Sequence, residues 1–333
     1  MRAQILNAFG GPENFELVDI PKPIVQPGML LVRLIATSVN QIDIKIRGGL
    51  PIGPDLPAVV GCDVAGIVEE VGPDVTGFVP GDQVYGCAGG VKGQGGTLAE
   101  YIAVDARLIA PKPRTLSMRQ AAALPLVAIT AWDALERSRL TASDHILIHG
   151  GVGGVGHVAV QLAAAMGARV ATTVGSAEAA ALARTLGADE TINFRGEAVE
   201  AYVARLTGTR GFDVVFDTIG GDNLPSSFAA AAYEGRVATT NTRTIQDLAP
   251  LHAKALSLHV VFMLLPMLRG FGRERHGLIL RKLAAMVDDG KLRPLIDDNR
   301  FTLETAPDAH WRLASGEAYG KVVIDIADEP RLG

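Results

Sequence analysis

The stretch HILIHGGVGGVG, His145 to Gly156, decides the fold of this chain. Its apolar triplet Ile146, Leu147 and Ile148 runs straight into Gly151-x-Gly153-x-x-Gly156. Directly after it, Val155, Val158, Ala159, Leu162, Ala163 and Met166 recur at i, i+3, i+4, i+7, i+8 and i+11, the spacing of one helical face. Strand, tight turn and helix are therefore predicted in that order. Glycines at this spacing are common in ordinary turns, so the flanking elements carry the reading. Bare backbone N–H groups at a helix N-terminus can approach a pyrophosphate closely and meet its charge, which makes this a dinucleotide-binding turn built from Gly151, Gly153, Gly154, Val155 and Gly156.

Composition sets the limits around that turn. A chain of 333 residues has room for about two domains, each with its own core. Its 48% hydrophobic and 20% charged residues are those of a globular protein. A formal net charge of −5, with no Lys/Arg-rich run, argues against nucleic acid or an anionic membrane as partner. No apolar run approaches the roughly 20 residues a bilayer requires, and the opening MRAQILNAFGGPENFELVDI has no signal-peptide core; a cytoplasmic location is expected. Cys62 and Cys87, the two cysteines, form no CxxC pair and read as small hydrophobes.

Outward from the turn, two textures appear. Up to about residue 125, short apolar segments (Leu30 to Ala36, Val64 to Val71, Gln83 to Tyr85, Leu98 to Val104) alternate with turns such as Gly72-Pro73-Asp74 and Pro80-Gly81-Asp82, the pattern of a small barrel or folded sheet. AAALPLVAITAWDAL then reads as helix around a break at Pro125. Beyond the glycine turn, strand candidates (Arg169 to Val174, Glu190 to Phe194, Phe212 to Asp217, Arg236 to Thr240) alternate with helices. Such alternation implies a parallel, doubly wound α/β sheet with its ligand at the strand carboxyl ends. From about Pro266 the tail holds one amphipathic helix, Leu278 to Asp289, and a closing strand, Lys321 to Ile326.

Several motifs in this order give the chain a family likeness: SVNQIDIKIRGG (Ser38 to Gly49), AVVGCDVAGIVEEVGPDV (Ala58 to Val75), PGDQVYG (Pro80 to Gly86), GGTLAEY (Gly95 to Tyr101), LGADETINF (Leu186 to Phe194), FDVVFDTIGG (Phe212 to Gly221) and GKVVIDI (Gly320 to Ile326). Nearly end to end, the chain resembles the medium-chain dehydrogenase/reductase superfamily, and within it the zinc-independent quinone oxidoreductase and enone reductase branch. The resemblance implies a GroES-like β-barrel catalytic domain over residues 1–125, to which 266–333 return, and a Rossmann nucleotide domain over 126–265. It places the active site in the cleft between them.

A catalytic zinc needs about three Cys, His or carboxylate ligands and an open position. Where zinc-dependent relatives carry their ligands, this chain has Asn40, Cys62 and the Leu124-Pro125-Leu126 stretch, and the structural-zinc loop is replaced by GGVKGQGG, Gly89 to Gly96. Cys62 with Asp63 alone cannot hold the metal, so no zinc is expected. Without a Lewis acid, reduction of a polarised acceptor fits better than alcohol oxidation.

Cofactor choice depends on the end of the second nucleotide-domain strand, Val174-Gly175-Ser176, where an acid would bind the ribose 2′-OH and repel a 2′-phosphate. Val174 stands in that place. The missing acid favours NADPH over NADH, with Ser176 as a neutral donor, although the Lys and Tyr that NADPH-using relatives often carry are here Ala179 and Phe194.

By the same resemblance Asn40 hydrogen-bonds the cofactor ribose or the substrate carbonyl, and Thr130 lies near the nicotinamide. Lys45 polarises the carbonyl and stabilises the enolate formed as hydride arrives; read without the family, it is a solvated surface charge. Asp43 orients this loop or pairs with Lys45 or Arg47. The apolar run Val260 to Leu265 reads as core or as a dimer-edge strand, and by the resemblance its later part, Phe262, Met263 and Leu264, also touches nicotinamide and substrate; an apolar edge favours a homodimer. His149 and His157 read as structural histidines. The expected activity is reduction of quinones or α,β-unsaturated carbonyl compounds, taking a small apolar electrophile. A zinc-type alcohol dehydrogenase and a non-catalytic NADPH-binding sensor or structural protein are the alternatives.

Overall fold

The computed structural model describes residues 1–329. The described chain divides into two compact units: residues 1–129, 264–290 and 294 onward form the first, and 130–263 with 291–293 the second. The first expected boundary, 125/126, shifts by a few residues because a helix that begins at Pro125 carries the chain through the division. Of the expected 266–333 return, 330–333 lie outside the described residues.

In chain order the first unit contributes β1 (Arg2–Leu6), β2 (Phe15–Asp19), β3 (Met29–Val39), α1 (Gln41–Arg47), β4 (Ala58–Val59), β5 (Asp63–Val71), β6 (Gln83–Cys87), β7 (Tyr101–Asp105), β8 (Ile109–Pro111), α2 (Met118–Ala122) and the start of α3 (Pro125–Arg137). The second holds β9 (His145–His149), α4 (Gly156–Ala165), β10 (Arg169–Val174), α5 (Ala177–Thr185), β11 (Glu190–Asn193), α6 (Val199–Thr207), β12 (Phe212–Asp217), α7 (Leu224–Ala230), β13 (Ala231–Thr239), α8 (Ala249–Ala253) and β14 (Ser257–Val260). The chain then returns to the first unit with α9 (Leu265–Arg269), α10 (Glu274–Asp288), β15 (Phe301–Thr302), α11 (Ala306–Ala314) and β16 (Val322–Asp325). No described helix is long and apolar enough to cross a membrane.

The second unit is one parallel sheet in the order β11-β10-β9-β12-β13-β14. Its central strand β9 is buried at all five positions, which is why HILIH reads as continuous rather than alternating. Leu147, Val215, Phe212 and Phe228 close the core on one face. The order reverses between β9 and β12, so the carboxyl ends of these two strands open the crevice where parallel sheets bind ligands. Helix α4 departs from a one-face pattern: Gly156 through Ala163 are all buried, and its expected apolar end, Met166, is exposed.

In the first unit β3 is the spine. Of its eleven residues, Leu30–Ala36 pair with β5, Met29–Arg33 with β7 and Ala36–Val39 with β16. A separate three-stranded sheet, β2-β1-β4, was not anticipated, because buried Gln4 interrupts the apolar pattern of RAQIL; its amide donates to the Leu303 carbonyl at 2.9 Å. The apolar run Val260 to Leu265 also departs from a strand reading. Among the described residues the strand Ser257–Val260 pairs with β13, the Val261 N–H adds one last bond to the Thr239 carbonyl at 2.9 Å, and Pro266 then sits in the first turn of α9.

Where β3, β5, α3 and β16 meet, a carboxylate and an ammonium are buried together. Lys321 and Asp63 are 2% and 0% exposed, with Nζ 3.4 Å from Oδ2. Lys321 also donates to the Val39 carbonyl and to Asn40 Oδ1. Asp63 accepts from Ser38 Oγ at 2.6 Å, Asn40 Nδ2 at 2.8 Å and the Leu126 N–H at 2.8 Å. Removing one partner leaves an uncompensated buried charge, a change that costs about 3–5 kcal/mol. Asp63→Ala is therefore expected to lower unfolding free energy in urea by about that amount; a loss within the roughly 0.5 kcal/mol typical of surface substitutions would contradict the role given to the pair.

Candidate functional site

In the second unit the chain leaves β9 through Gly150, whose N–H donates to Thr173 Oγ1 at 3.0 Å, while Gly151 N donates to the Thr173 carbonyl at 3.2 Å. Two glycines are required by close approach. A Cβ on Gly151 would stand 2.1 Å from Thr172 Oγ1, and one on Gly156 would stand 2.0 Å from the Gly150 carbonyl oxygen. A Cβ on Gly153 would meet little beyond that carbonyl, at 3.2 Å, so this part of the turn is open. Val155 caps α4 with no side-chain hydrogen bond. His157 N already donates to the Gly153 carbonyl at 3.0 Å, so the helical ladder begins inside the turn, and the glycine backbone ahead of it is the part that a pyrophosphate can approach.

Beside the turn, β10 ends at Val174 and Gly175, and Ser176 caps α5 by accepting from Ala179 N at 3.1 Å. The Phe194 N–H donates to the Val174 carbonyl at 3.2 Å, extending the β10–β11 pairing and bringing Phe194 and Arg195 over Gly175. No carboxylate replaces Val174 at the strand end. On the other side of the switch point, Thr218 Oγ1 donates to the His149 carbonyl at 2.7 Å, and Asp217 accepts the Ile219 and Gly220 N–H groups. His149 is buried, and burial lowers its pKa below the usual imidazole value. His157 is buried in α4 with Nδ1 3.0 Å from the Gly153 carbonyl oxygen. A polar cavity of about 800 Å³ lies at the opposite, amino ends of the strands, among Asp144, His145, Arg169 and Glu190. Parallel sheets do not bind nucleotides at that edge.

The expected catalytic segment lies in the first unit. Asn40 is buried at the N-terminus of α1, its carboxamide held between Lys321 and Asp63. Three residues on, Asp43 is 1% exposed and accepts the Asn40 N–H at 2.7 Å and the Cys62 thiol at 3.2 Å. Those two donors fix the loop. Burial pushes the Asp43 carboxyl up to about 6. A hydrogen bond with Cys87 and burial raise the Cys62 thiol well above its ordinary value, so it carries its proton. Lys45 lies exposed on α1, and Arg47 is buried at its end.

At the positions where zinc-dependent relatives carry their ligands stand a carboxamide committed to Asp63, a protonated thiol that donates to Asp43, and leucine side chains. This donor set does not fit a zinc ion, and among the described residues no group of three His, Cys, Asp or Glu is arranged to hold a metal. Thr130 is buried in α3; Met263 and Leu264 are buried, and Phe262 is 40% exposed. Lys321 and Arg195 escaped sequence reading. Nothing in GKVVIDI marks its lysine as buried, and the resemblance directs attention for a ribose cation to Ala179, at the start of α5, rather than past β11.

Because folding raises the Asp43 pKa from 3.8 to about 6, the folded state holds a proton there that the unfolded chain has released. Stability from this group is therefore full below about pH 4 and falls as pH rises through about 6, by on the order of 2–3 kcal/mol. Asp43→Asn is expected to remove that part of the slope when urea midpoints are compared with wild type from pH 4 to 7. Parallel curves for the two proteins would place the Asp43 pKa near its ordinary value.

Comparison with known proteins agrees with both halves of this geometry. Residues 26–114 match the alcohol dehydrogenase GroES-like domain model, and residues 186–324 match the zinc-binding dehydrogenase model. An NADPH-dependent alkenal/one oxidoreductase of Arabidopsis thaliana is 32% identical, over 97% of this chain and 79% of its own length. Quinone oxidoreductase of Mus musculus is 32% identical over 97% of both chains. The crystal structure of an alcohol dehydrogenase superfamily protein from Novosphingobium aromaticivorans superimposes with a TM-score of 0.93 at 40% identity, covering 98% of this chain and 99% of that one. The chain belongs to the medium-chain dehydrogenase/reductase superfamily, in the branch that holds the quinone oxidoreductases and the enone and alkenal reductases.

Proposed function

We propose that this protein is a zinc-independent, NADPH-preferring reductase of quinones or α,β-unsaturated carbonyl compounds. The observation that carries the reading is the pairing, in one chain, of an open glycine turn at the switch point with an Asn40 cluster whose donors suit hydrogen bonding rather than metal ligation. Relatives named for NADPH, alkenals and quinones support the same class. Gly151 to Gly156 hold the pyrophosphate, and Val174, Gly175 and Ser176 border the adenosine ribose. Thr130, Asn40, Phe262, Met263 and Leu264 are assigned to the nicotinamide end on the family resemblance. When bound, the reduced nicotinamide supplies a hydride.

The rest falls to side chains of this chain. Lys45 offers a cation to the acceptor's carbonyl oxygen, where negative charge grows as the β-carbon takes the hydride. Either that ammonium or solvent then returns a proton to the enolate. Asn40 is held in a single orientation by Lys321 and Asp63, so its remaining N–H has a fixed direction. Asp43, with both oxygens engaged by Asn40 N and Cys62, acts as a positioning residue. Orientation and electrostatics supply the rate, with no covalent intermediate.

A cytoplasmic location and a homodimer complete the proposal. For the dimer, the support is that β14 ends the parallel sheet with β13 as its one partner among the described residues, and that Val260 and, just past the strand, Phe262 are 45% and 40% exposed.

Oxidation of NADPH, followed by absorbance with EDTA present against a panel of enones, alkenals and quinones, tests the whole. Turnover that survives EDTA is expected; turnover that EDTA abolishes favours a zinc-type dehydrogenase, and cofactor binding without any turnover favours a sensor. Lys45→Ala is expected to lower kcat with an enone by about 10²-fold, within the usual range for a lost acid or oxyanion donor, with less than about two-fold change in cofactor Kd. Unchanged kcat would remove Lys45 from the mechanism.

A further inference from the structure

Recognition of a 2′-phosphate needs a cation at the ribose, and the position near the start of α5 where NADPH-using relatives often carry one is Ala179, buried beneath the helix. The structure supplies a different one. The loop after β11 is fixed from both sides: Phe194 N donates to the Val174 carbonyl, and Arg195 N donates to Asn193 Oδ1 at 3.1 Å. Gly196 N and Glu197 N both return to the Asn193 carbonyl, at 3.1 and 3.0 Å. This backbone sets Arg195 at the carboxyl end of β10, the same end of the sheet as the glycine turn.

Its side chain points over the strand end. A Cβ on Gly175 would lie 3.6 Å from Arg195 Nε and 3.3 Å from Phe194 Cε1, so the bare backbone of Gly175 leaves room for both. The guanidinium carbon sits 5.7 Å from the centre of the Phe194 ring, which is itself 58% exposed. Glu197, two residues on, is held by Arg205 through two contacts of 2.8 Å. Among the described residues Arg195 forms no ion pair, although Glu178 lies exposed in the first turn of α5. An exposed guanidinium braced on an aromatic ring beside the residue that replaces the ribose-binding acid has the shape and charge for a phosphomonoester.

We propose that Arg195 is the specificity-determining residue for the cofactor, taking the 2′-phosphate of NADPH while Phe194 braces its guanidinium. This rests on the nicotinamide-dependent reading above, and it assigns to the loop after β11 a role that the start of α5 cannot fill.

The test is calorimetric titration of the full-length protein with NADPH, NADH and 2′,5′-ADP, for wild type, Arg195→Gln and Arg195→Lys. Wild type is expected to bind NADPH at least about ten-fold more tightly than NADH, as a charge-assisted contact would allow. Arg195→Gln should weaken NADPH and 2′,5′-ADP by about 10- to 100-fold and NADH by less than about two-fold. Arg195→Lys should recover part of the loss, and NADPH affinity should depend less on salt in Arg195→Gln than in wild type. Equal weakening of NADPH and NADH, or no weakening of either, would overturn the proposal. Failure of wild type to bind any of the three would overturn it together with the reductase reading. Arg195-dependent binding of NADPH without turnover of any enone or quinone would uphold the proposal and refute only the reductase reading.

Discussion

A buried ammonium and a buried carboxylate are each expensive to desolvate, and the first unit of this protein is arranged so that both are fully answered. Lys321 has three N–H bonds and three acceptors: the Val39 carbonyl, Asn40 Oδ1 and Asp63 Oδ2. Asp63 receives Ser38, Asn40, the Leu126 N–H and Lys321. Stretches of chain far apart in sequence, around Asn40, Asp63, Leu126 and Lys321, thereby converge on one buried point. A half-satisfied version of this cluster would be worse than an apolar core, so the strands and helices that supply its members are held in mutual register.

The chemistry inherits that order. Asn40 stands between the hub and α1, so the same contacts that hold the sheet fix the carboxamide at the head of the segment assigned to catalysis. Asp43 adds a second layer, drawn in by the Asn40 N–H and the Cys62 thiol. The second unit works by a different principle: there the important feature is bare glycine backbone, packed too closely for a Cβ at Gly151 and Gly156, at the carboxyl ends of parallel strands. One unit orients side chains by saturating their polar atoms, and the other brings backbone close by omitting side chains.

Much of this was readable from residue types. The glycine turn, β10 and β12 lie where hydrophobic run and glycine spacing put them, since fully buried parallel strands give continuous apolar runs with abrupt ends. Reading failed where a polar residue belongs to the interior. Gln4 hides β1, and Lys321 looks like a surface charge beside a closing strand because its partners lie far away in sequence. It failed again where pairing, not composition, limits an element: Phe262 to Leu264 are as apolar as a strand, yet β13 ends at Thr239, which already bonds Val261. Arg195 was missed because its placement depends on a three-residue turn held by Asn193, a feature that hydropathy does not record. Asn40 and Asp43 were picked out on family resemblance, and only the structure reveals that one is committed to Lys321 and Asp63 and the other to a thiol.

The pairing of β16 with the far half of β3 bears on how the chain acquires its structure. Lys321 reaches Asn40 across 281 residues and Asp63 across 258. During synthesis, all six strands of the parallel sheet have emerged by Val260, whereas β3 waits with an open edge and Asp63 waits without its cation until Lys321 and β16 appear. Through that interval the first unit exposes the far edge of β3, Ala36–Val39, the kind of edge that pairs with whatever strand is nearby. The nascent protein is thus most exposed to mispairing in the unit it began first, and the arrival of one late lysine closes the risk.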